Sequence, residues 1–97
     1  MKLRILSSAN RELAAAAQFY LKEGGARIAD RFLNEVKSAS ANIAADPNRN
    51  AIHRNDIRVY RLPSFPYSIY YRIKPTEIVA IAISHNSRRS DYWRNRL

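Results

Sequence analysis

The spacing of hydrophobic residues divides this chain into a helical first half and a strand-rich second half. One helix is predicted from residue 9 to about residue 22 and another from residue 26 to residue 45, because apolar side chains recur in each with the helical period. Gly24 and Gly25 lie between them and predict a sharp turn. Each helix has a single apolar side, so we expect a helical hairpin that packs on a sheet.

The remaining apolar residues follow the two-residue period of β-strands. One short strand is predicted before the first helix and three after a polar connector, at residues 2–6, 57–62, 67–73 and 78–84. Short proline-containing turns join the last three strands and predict an antiparallel meander. We therefore expect one α+β domain over residues 1–97, in which the N-terminal strand and the meander form one sheet packed on the helical hairpin.

The middle strand of the meander indicates how this sheet is covered. Apolar and polar side chains alternate along residues 67–73, with Tyr67, Ile69, Tyr71 and Ile73 on one side and Ser68, Tyr70 and Arg72 on the other. This alternation is typical of a sheet with one buried face. We expect the helices to cover one face and the other to be open to solvent.

Basic residues outnumber acidic residues by more than two to one. Seventeen Lys and Arg accompany eight Asp and Glu, for a net charge of +9, and residues 48–97 hold ten basic and three acidic side chains. Most of these cations are Arg, whose planar guanidinium suits phosphates and carboxylates. The composition therefore favours a polyanion or an acidic protein as partner.

Composition also disfavours several classes of protein. The chain has no cysteine, which excludes disulfides and thiolate metal sites, and His53 and His85 are too far apart in sequence to suggest a zinc site. We expect no metal and no cofactor. The N-terminal apolar run is too short for a signal peptide, and no stretch is apolar enough to cross a membrane, so we expect a cytoplasmic protein with no membrane partner.

The C-terminal segment holds the candidate functional site. An apolar strand ends at His85 and is followed by clustered cations and aromatic rings, namely Arg88, Arg89, Tyr92, Trp93, Arg94 and Arg96. Arginines beside an exposed tryptophan are typical of interface hot spots. We expect these six side chains to form one cationic docking area.

In the order and spacing of its motifs, the chain resembles the RelE/ParE superfamily of small bacterial toxins. The resemblance rests on a first strand before a helical hairpin, on IRVYRL at residues 57–62, on FPYSIYYR at residues 65–72, and on IAISH at residues 81–85 followed by two arginines. The ParE branch, often named plasmid stabilisation proteins, is the most similar. Members of the superfamily are the toxins of type II toxin–antitoxin modules.

The resemblance implies both a partner and a target. Members are held inactive by an acidic or amphipathic antitoxin segment, so we expect a hetero-oligomer with a cognate antitoxin. They arrest growth either by poisoning DNA gyrase or by cutting mRNA on the ribosome. We favour gyrase, in which case the toxin needs no catalytic residue and residues 90–97 bind the target.

A ribosome-dependent mRNA endoribonuclease of RelE type is the first alternative. The residues that would act are Arg58, Arg61, His85, Arg88 and Tyr92, of which Arg61, Arg88 and Tyr92 most resemble the RelE catalytic set. Ribonucleolytic members typically also carry a lysine or acidic base near the second strand, where this chain has no lysine. His85 or Tyr92 would then be the general base, because arginine stays protonated. A non-toxic, basic RNA-binding module is the second alternative.

Two apolar residues of the hairpin are candidates for antitoxin binding. Phe19 falls about 120° from the centre of the first helix's apolar stripe, and Leu33 lies near the edge of the second helix's stripe. We expect both to contact one amphipathic antitoxin helix lying along the hairpin. A single exposed aromatic ring without a role is the ordinary alternative for Phe19. On the strands, Arg58, Arg61 and Arg72 are expected to add antitoxin contacts.

Overall fold

Five strands and two α-helices form the fold in the computed structural model, which describes residues 1–89 and 91–97. In chain order they are β1 (Leu3–Ile5), α1 (Ser7–Gly24), α2 (Ala26–Ala45), β2 (Ile52–Arg54), β3 (Ile57–Arg61), β4 (Tyr67–Ile73) and β5 (Ile78–His85), followed by a 3-10 turn at Arg94–Arg96. The predicted α+β architecture is confirmed. Within these described ranges, no helix is both long and apolar enough to cross a lipid bilayer.

The strands form one mixed sheet in the order β1-β5-β4-β3-β2. β3, β4 and β5 make the predicted antiparallel meander, and β1 pairs in parallel with β5 at one edge. The sequence did not predict β2 at the other edge. All three of its residues are exposed, and their pairing with β3 shifts register between Ile52 and Arg54, so no alternation of burial marks this strand.

The helical hairpin covers one face of the sheet, as predicted. Phe32, Val36 and Ile43 of α2 are buried against the sheet, in one cluster with Ile69 and Tyr71 of β4. A group of rings closes the end of this core, where Tyr20 lies 5.0 Å from Phe65 and Phe32 lies 5.2 Å from Tyr67 between ring centroids. This face of the sheet is therefore filled by the hairpin's apolar side chains.

The other face of the sheet is not open to solvent, contrary to the prediction from residues 67–73. The C-terminal segment crosses it, and Trp93 packs there with Ile57, Tyr70 and Ile81 in a second, smaller core. Tyr70 is only 7% exposed and Ser68 is fully buried. Alternation within a strand shows that two faces differ in polarity, but it cannot show that a distant segment covers the more polar one.

Candidate interaction surfaces

Trp93, which was expected to contact the target, is a core residue. Its side chain is 1% exposed, and its ring lies 5.4 Å from Tyr70 and 6.2 Å from His53 between centroids. A partner cannot reach the indole while the C-terminal segment lies on the sheet. The prediction that Trp93 contacts the target is therefore wrong for the folded chain, and Trp93 instead anchors the segment that carries the arginines.

Glu12, on α1, draws three C-terminal side chains around one carboxylate. Arg96 donates a hydrogen bond to Oε1 at 2.9 Å, Arg88 donates to Oε2 at 3.4 Å, and the hydroxyl of Tyr92 donates to Oε2 at 2.5 Å. The Arg88 guanidinium also stacks on the Tyr92 ring at 3.7 Å from its centroid. We call these four residues the Glu12 cluster. It joins the end of the chain to the first helix.

The Glu12 cluster also satisfies the part of the β5 edge that β1 does not reach. β1 pairs with β5 only from Ile78 to Ala80. Beyond that point, Glu12 accepts the N–H of Ile83 at 3.1 Å, and Arg96 donates to the carbonyl of Ile81 at 3.1 Å. These two side chains take the place of a neighbouring strand, because unpaired backbone groups at a covered edge are costly.

The contacts of Glu12 shift two pKa values in opposite directions. Burial acts to raise the pKa of Glu12, but hydrogen bonds from Arg96, Tyr92 and the Ile83 N–H, with the charge of Arg96, outweigh it and leave the pKa below its ordinary value. Burial, assisted by the hydrogen bond to Glu12, raises the pKa of Tyr92 to about 12. Tyr92 is therefore protonated near neutrality and unsuited to be a general base.

Asp91 organises a second group of cations. Its carboxylate lies 2.9 Å from Arg94, 3.0 Å from Arg89 and 3.4 Å from Arg54 of β2. We call these four residues the Asp91 cluster. The side chains of Arg89 and Arg94 remain 83% and 63% exposed, so their pairing with Asp91 is weak and their guanidiniums stay available to a partner.

The six residues expected to form one docking area are thus divided by the fold. Arg88, Tyr92 and Arg96 belong to the Glu12 cluster, Arg89 and Arg94 belong to the Asp91 cluster, and Trp93 belongs to the core. Ser90, within the segment predicted to bind the target, lies outside the described residues. Arg54 also belongs to the exposed cations. It was not predicted as part of the site, because β2 was not predicted as a strand.

The arginines of the strands are dispersed. Arg58 donates to the carbonyl oxygens of Asn48 at 3.1 Å and Asn50 at 2.6 Å, and so holds the connector before β2. Arg72 pairs with Asp56 at 2.8 Å. Arg61, the last residue of β3, is exposed. Its Cβ lies on the opposite face of the sheet from that of Arg58, because the two residues are three positions apart in the strand.

His85 is engaged within its own turn. Its Nδ1 accepts the N–H of Ser87 at 3.0 Å, and its ring lies edge-on to Tyr67 at 5.1 Å between centroids. Four of the five residues considered for a ribonuclease therefore contact other parts of the chain: Arg58 binds the connector, Arg88 and Tyr92 both bind Glu12, and His85 binds Ser87. These contacts give a structural account of each side chain except Arg61.

An apolar groove lies between the two helices. It has a volume of about 500 Å³ and is lined by Asn10, Leu13, Ala14, Ala17, Gln18, Leu21, Ala26, Ala29, Asp30 and Leu33. Leu21 and Leu33 are 47% and 40% exposed. We call it the hairpin groove. A second apolar hollow, of about 440 Å³, shares Leu13 and Leu33 with it and continues to β1.

Phe19 does not lie in the hairpin groove. It is 56% exposed, as predicted, but it borders a hollow beside Tyr67, His85 and Arg88 on the opposite flank of α1. Phe19 and Leu21 are two residues apart and hence about 200° apart around the helix. Phe19 and Leu33 therefore border different hollows, and their contact with one antitoxin helix stays a prediction. Leu21 was not predicted as a binding residue. It could have been found from the sequence, because Ala14, Ala17 and Leu21 recur at helical spacing and form an apolar row beside the main stripe of α1.

Comparisons with known proteins identify the kind of protein that has this fold. Residues 3–90 match the family described as ParE toxin of type II toxin-antitoxin system, parDE. In structure, the chain is similar to a chain of the chromosomal ParDE TA system from P. aeruginosa, with a TM-score of 0.79 and 22% identity over 88% of this chain and 95% of that chain. At this identity the structural similarity concerns the fold. None of the curated protein sequences matches.

The fold and the family match define this protein as the toxin component of a type II toxin–antitoxin system. The chain belongs to the ParE toxin family, because the family model spans nearly all of its length. The predicted resemblance to the ParE branch is confirmed.

Proposed function

We propose that this ParE-type toxin arrests growth by poisoning DNA gyrase and that a cognate antitoxin neutralises it by placing an amphipathic segment in the hairpin groove. The observation that carries the proposal is the combination of an apolar groove of about 500 Å³ with a chain of net charge +9. Both features stay exposed in the isolated protein. They correspond to the two partners that the module requires.

The hairpin groove fits an amphipathic partner segment. Leu21 and Leu33 present apolar surface that a monomeric protein rarely leaves exposed in one contiguous track. Helix-in-groove binding places anchors one turn apart along such a track. The net charge of +9 favours an antitoxin with acidic residues on the side that faces away from the groove.

The Asp91 cluster is the surface that we assign to the target. Its three guanidiniums outnumber the single carboxylate, and Arg89 and Arg94 are among its exposed members. A gyrase poison needs only to bind, because gyrase supplies the DNA cleavage that becomes trapped. An exposed cationic surface without a general base is consistent with that role.

The contacts of the candidate catalytic residues disfavour the ribonuclease alternative. Tyr92 keeps its proton near neutrality, since the pKa is raised to about 12, and His85 Nδ1 is occupied by the Ser87 N–H. A ribonuclease without a metal needs a group that removes the 2′-hydroxyl proton. Tyr92 is therefore not arranged to do so, and the neutral His85 ring that accepts the Ser87 N–H at Nδ1 has its hydrogen on Nε2, which leaves no free ring nitrogen for that role.

Inducible expression in bacterial cells tests the proposed target. We expect growth arrest with induction of the SOS response, and accumulation of cleaved DNA when the purified chain is added to gyrase and plasmid. Arrest with intact chromosomal DNA and mRNA cut at ribosomal A sites, abolished by Arg61→Ala or Tyr92→Phe, would refute the gyrase assignment. Expression with no effect on growth would instead support the non-toxic RNA-binding alternative.

Co-expression with the antitoxin tests the groove separately. Leu21→Glu combined with Leu33→Glu should leave toxicity intact but prevent rescue, because two carboxylates would be desolvated in an apolar contact. Phe19→Glu, on the other flank of α1, is the matched control and should still be rescued. Rescue of the groove variant but not of the Phe19 variant would place the antitoxin on the other flank.

A further inference from the structure

A polar pocket at the open end of the β3 edge is separate from both interaction surfaces described above. It has a volume of about 340 Å³ and is lined by Asn42, Arg49, Asn50, Tyr60 and Arg61. We call it the β3-edge pocket. Its size falls within the range of pockets that hold small ligands, roughly 300–1,000 Å³. Neither the hairpin groove nor the Asp91 cluster contributes a residue to it.

The β3-edge pocket differs in charge from the two other groups of arginines. The Glu12 and Asp91 clusters each contain a carboxylate that pairs with their guanidiniums. The residues that line the pocket include two arginines and no acidic residue. Within residues 1–89 and 91–97, seven arginines form ion pairs, and neither Arg49 nor Arg61 is one of them. Neither of the two arginines that line the pocket has an ion-pair partner among the described residues.

One uncharged group of the pocket, the hydroxyl of Tyr60, keeps a hydrogen that it can donate to a ligand. The amide of Asn42 donates to the hydroxyl oxygen of Tyr60 at 3.1 Å, which leaves the hydroxyl hydrogen of Tyr60 available to a ligand. Asn50 is held by its amide bond to the hydroxyl of Tyr71 at 3.1 Å and by Arg58 at its carbonyl at 2.6 Å. Such fixed walls lower the entropic cost of binding.

From this arrangement we propose that the β3-edge pocket binds the phosphate group of a small phosphorylated molecule, such as a nucleoside monophosphate. Arg49 supplies a forked, charged donor for the phosphate oxygens and Tyr60 a neutral one. Arg61 is the last residue of β3 and starts on the other face of the sheet, so its long side chain would reach the phosphate by turning round the free edge of that strand. The half-buried Tyr60 ring and the two asparagines leave room for the rest of the ligand. The proposal does not depend on the gyrase assignment.

A pocket, rather than a flat patch, favours a small ligand over a nucleic-acid strand. Strand-binding surfaces combine a cationic track with aromatic faces on which successive bases stack. Here five residues line a single polar pocket, and none of them belongs to the Asp91 cluster. We therefore assign the pocket to one phosphate group and not to a phosphate backbone.

Titration of the isotope-labelled full chain with AMP, inorganic phosphate and adenosine, monitored by NMR at physiological ionic strength, tests this assignment. AMP and phosphate should shift the Nε–H signals of Arg49 and Arg61, whereas adenosine should not. Arg49→Gln combined with Arg61→Gln should weaken AMP binding by about tenfold or more, since two charge-assisted contacts are lost. Arg27→Gln combined with Arg31→Gln on α2 removes the same charge and should bind AMP like the wild type.

Tyr60→Phe provides a second variant that keeps the packed ring and removes one donor. It should weaken AMP binding by a smaller factor than the arginine variant does. Equal binding by wild type and all variants would overturn the proposal, as would the absence of any shift at Arg49 and Arg61. Binding of a single-stranded oligonucleotide in the pocket, without binding of AMP, would overturn the assignment to a small ligand.

Discussion

At the scale of single residues, Trp93 shows how sequence context can suggest the wrong environment. A tryptophan between arginines has the composition of an interface, but its ring is buried on the second face of the sheet. The neighbouring Arg94 and Arg96 form ion pairs with Asp91 and Glu12, outside this core. Burial of the ring and exposure of the cations therefore have one cause, which is the docking of the C-terminal segment.

Replacing Trp93 tests this role directly. Trp93→Ala should lower the free energy of unfolding by about 3–5 kcal/mol, because a large buried side chain leaves a cavity. Trp93→Phe should lower the free energy of unfolding by about 1 kcal/mol or less, because an aromatic ring still fills most of the site. The indole N–H is buried without a hydrogen-bond partner among the described residues, so its removal offsets part of the lost packing. Urea unfolding followed by circular dichroism measures both, and equal losses for the two variants would contradict this account.

Glu12 predicts a pH dependence of stability. Its pKa lies below the ordinary value of 4.5, so its charged form stabilises the fold above that pH, and the stabilisation is lost as the pH falls through the lowered pKa. Glu12→Gln should therefore reduce the free energy of unfolding by about 1–3 kcal/mol at neutral pH. The difference from wild type should shrink as the pH falls below 4.5 and through the lowered pKa of Glu12.

The control for this prediction is Glu77→Gln, which removes the carboxylate of the exposed pair with Arg4. Its urea midpoint at neutral pH should differ less from wild type than that of Glu12→Gln, because solvent screens the exposed pair. A difference between Glu12→Gln and wild type that stays constant from neutral to acidic pH would rule out the proposed linkage.

At the scale of elements, the sequence predicts most where burial is periodic. The α2 stripe predicts its bounds and its buried residues Phe32, Val36 and Ile43, because a helix packed on one side must repeat every turn. β2 has no buried residue, and the C-terminal segment has no regular repeat of apolar residues. The sequence therefore could not predict where either one packs. The candidate site shared this limit. Its cations were found, but their division between Glu12 and Asp91 depends on contacts made across most of the chain.

The turn between the helices gives an element-scale prediction. Gly25 has φ 87° and ψ 177°, a conformation that other residues rarely adopt, and no atom would lie within 4 Å of an added Cβ. Gly25→Ala should therefore lower the free energy of unfolding by about 1–3 kcal/mol through backbone strain alone. Thermal unfolding measures this. A raised melting temperature, as Gly→Ala produces where φ is negative, would show that the turn has another conformation.

At the scale of the whole molecule, the proposed partners contact opposite sides of the fold. The hairpin groove lies on the helices, which cover one face of the sheet, and the Asp91 cluster belongs to the segment that covers the other face. An antitoxin segment in the groove alone would then leave the Asp91 cluster exposed. Neutralisation would require the antitoxin either to extend around the sheet or to hinder the target by its bulk.

This separation predicts that toxicity and antitoxin binding can be removed independently. Arg89→Gln combined with Arg94→Gln should keep the fold, because both side chains are mostly exposed, and should still bind the antitoxin while no longer causing growth arrest or gyrase-dependent DNA cleavage. Arg27→Gln combined with Arg31→Gln has the same net charge and should remain toxic. Thermal unfolding must first show that both variants are folded. Point variants are preferable to truncation after residue 90, because truncation would remove Trp93 and expose Ile57, Tyr70 and Ile81. A truncated chain could then lose toxicity through unfolding and not through loss of a target contact. Full toxicity of the Arg89 and Arg94 variant would show that the target binds elsewhere.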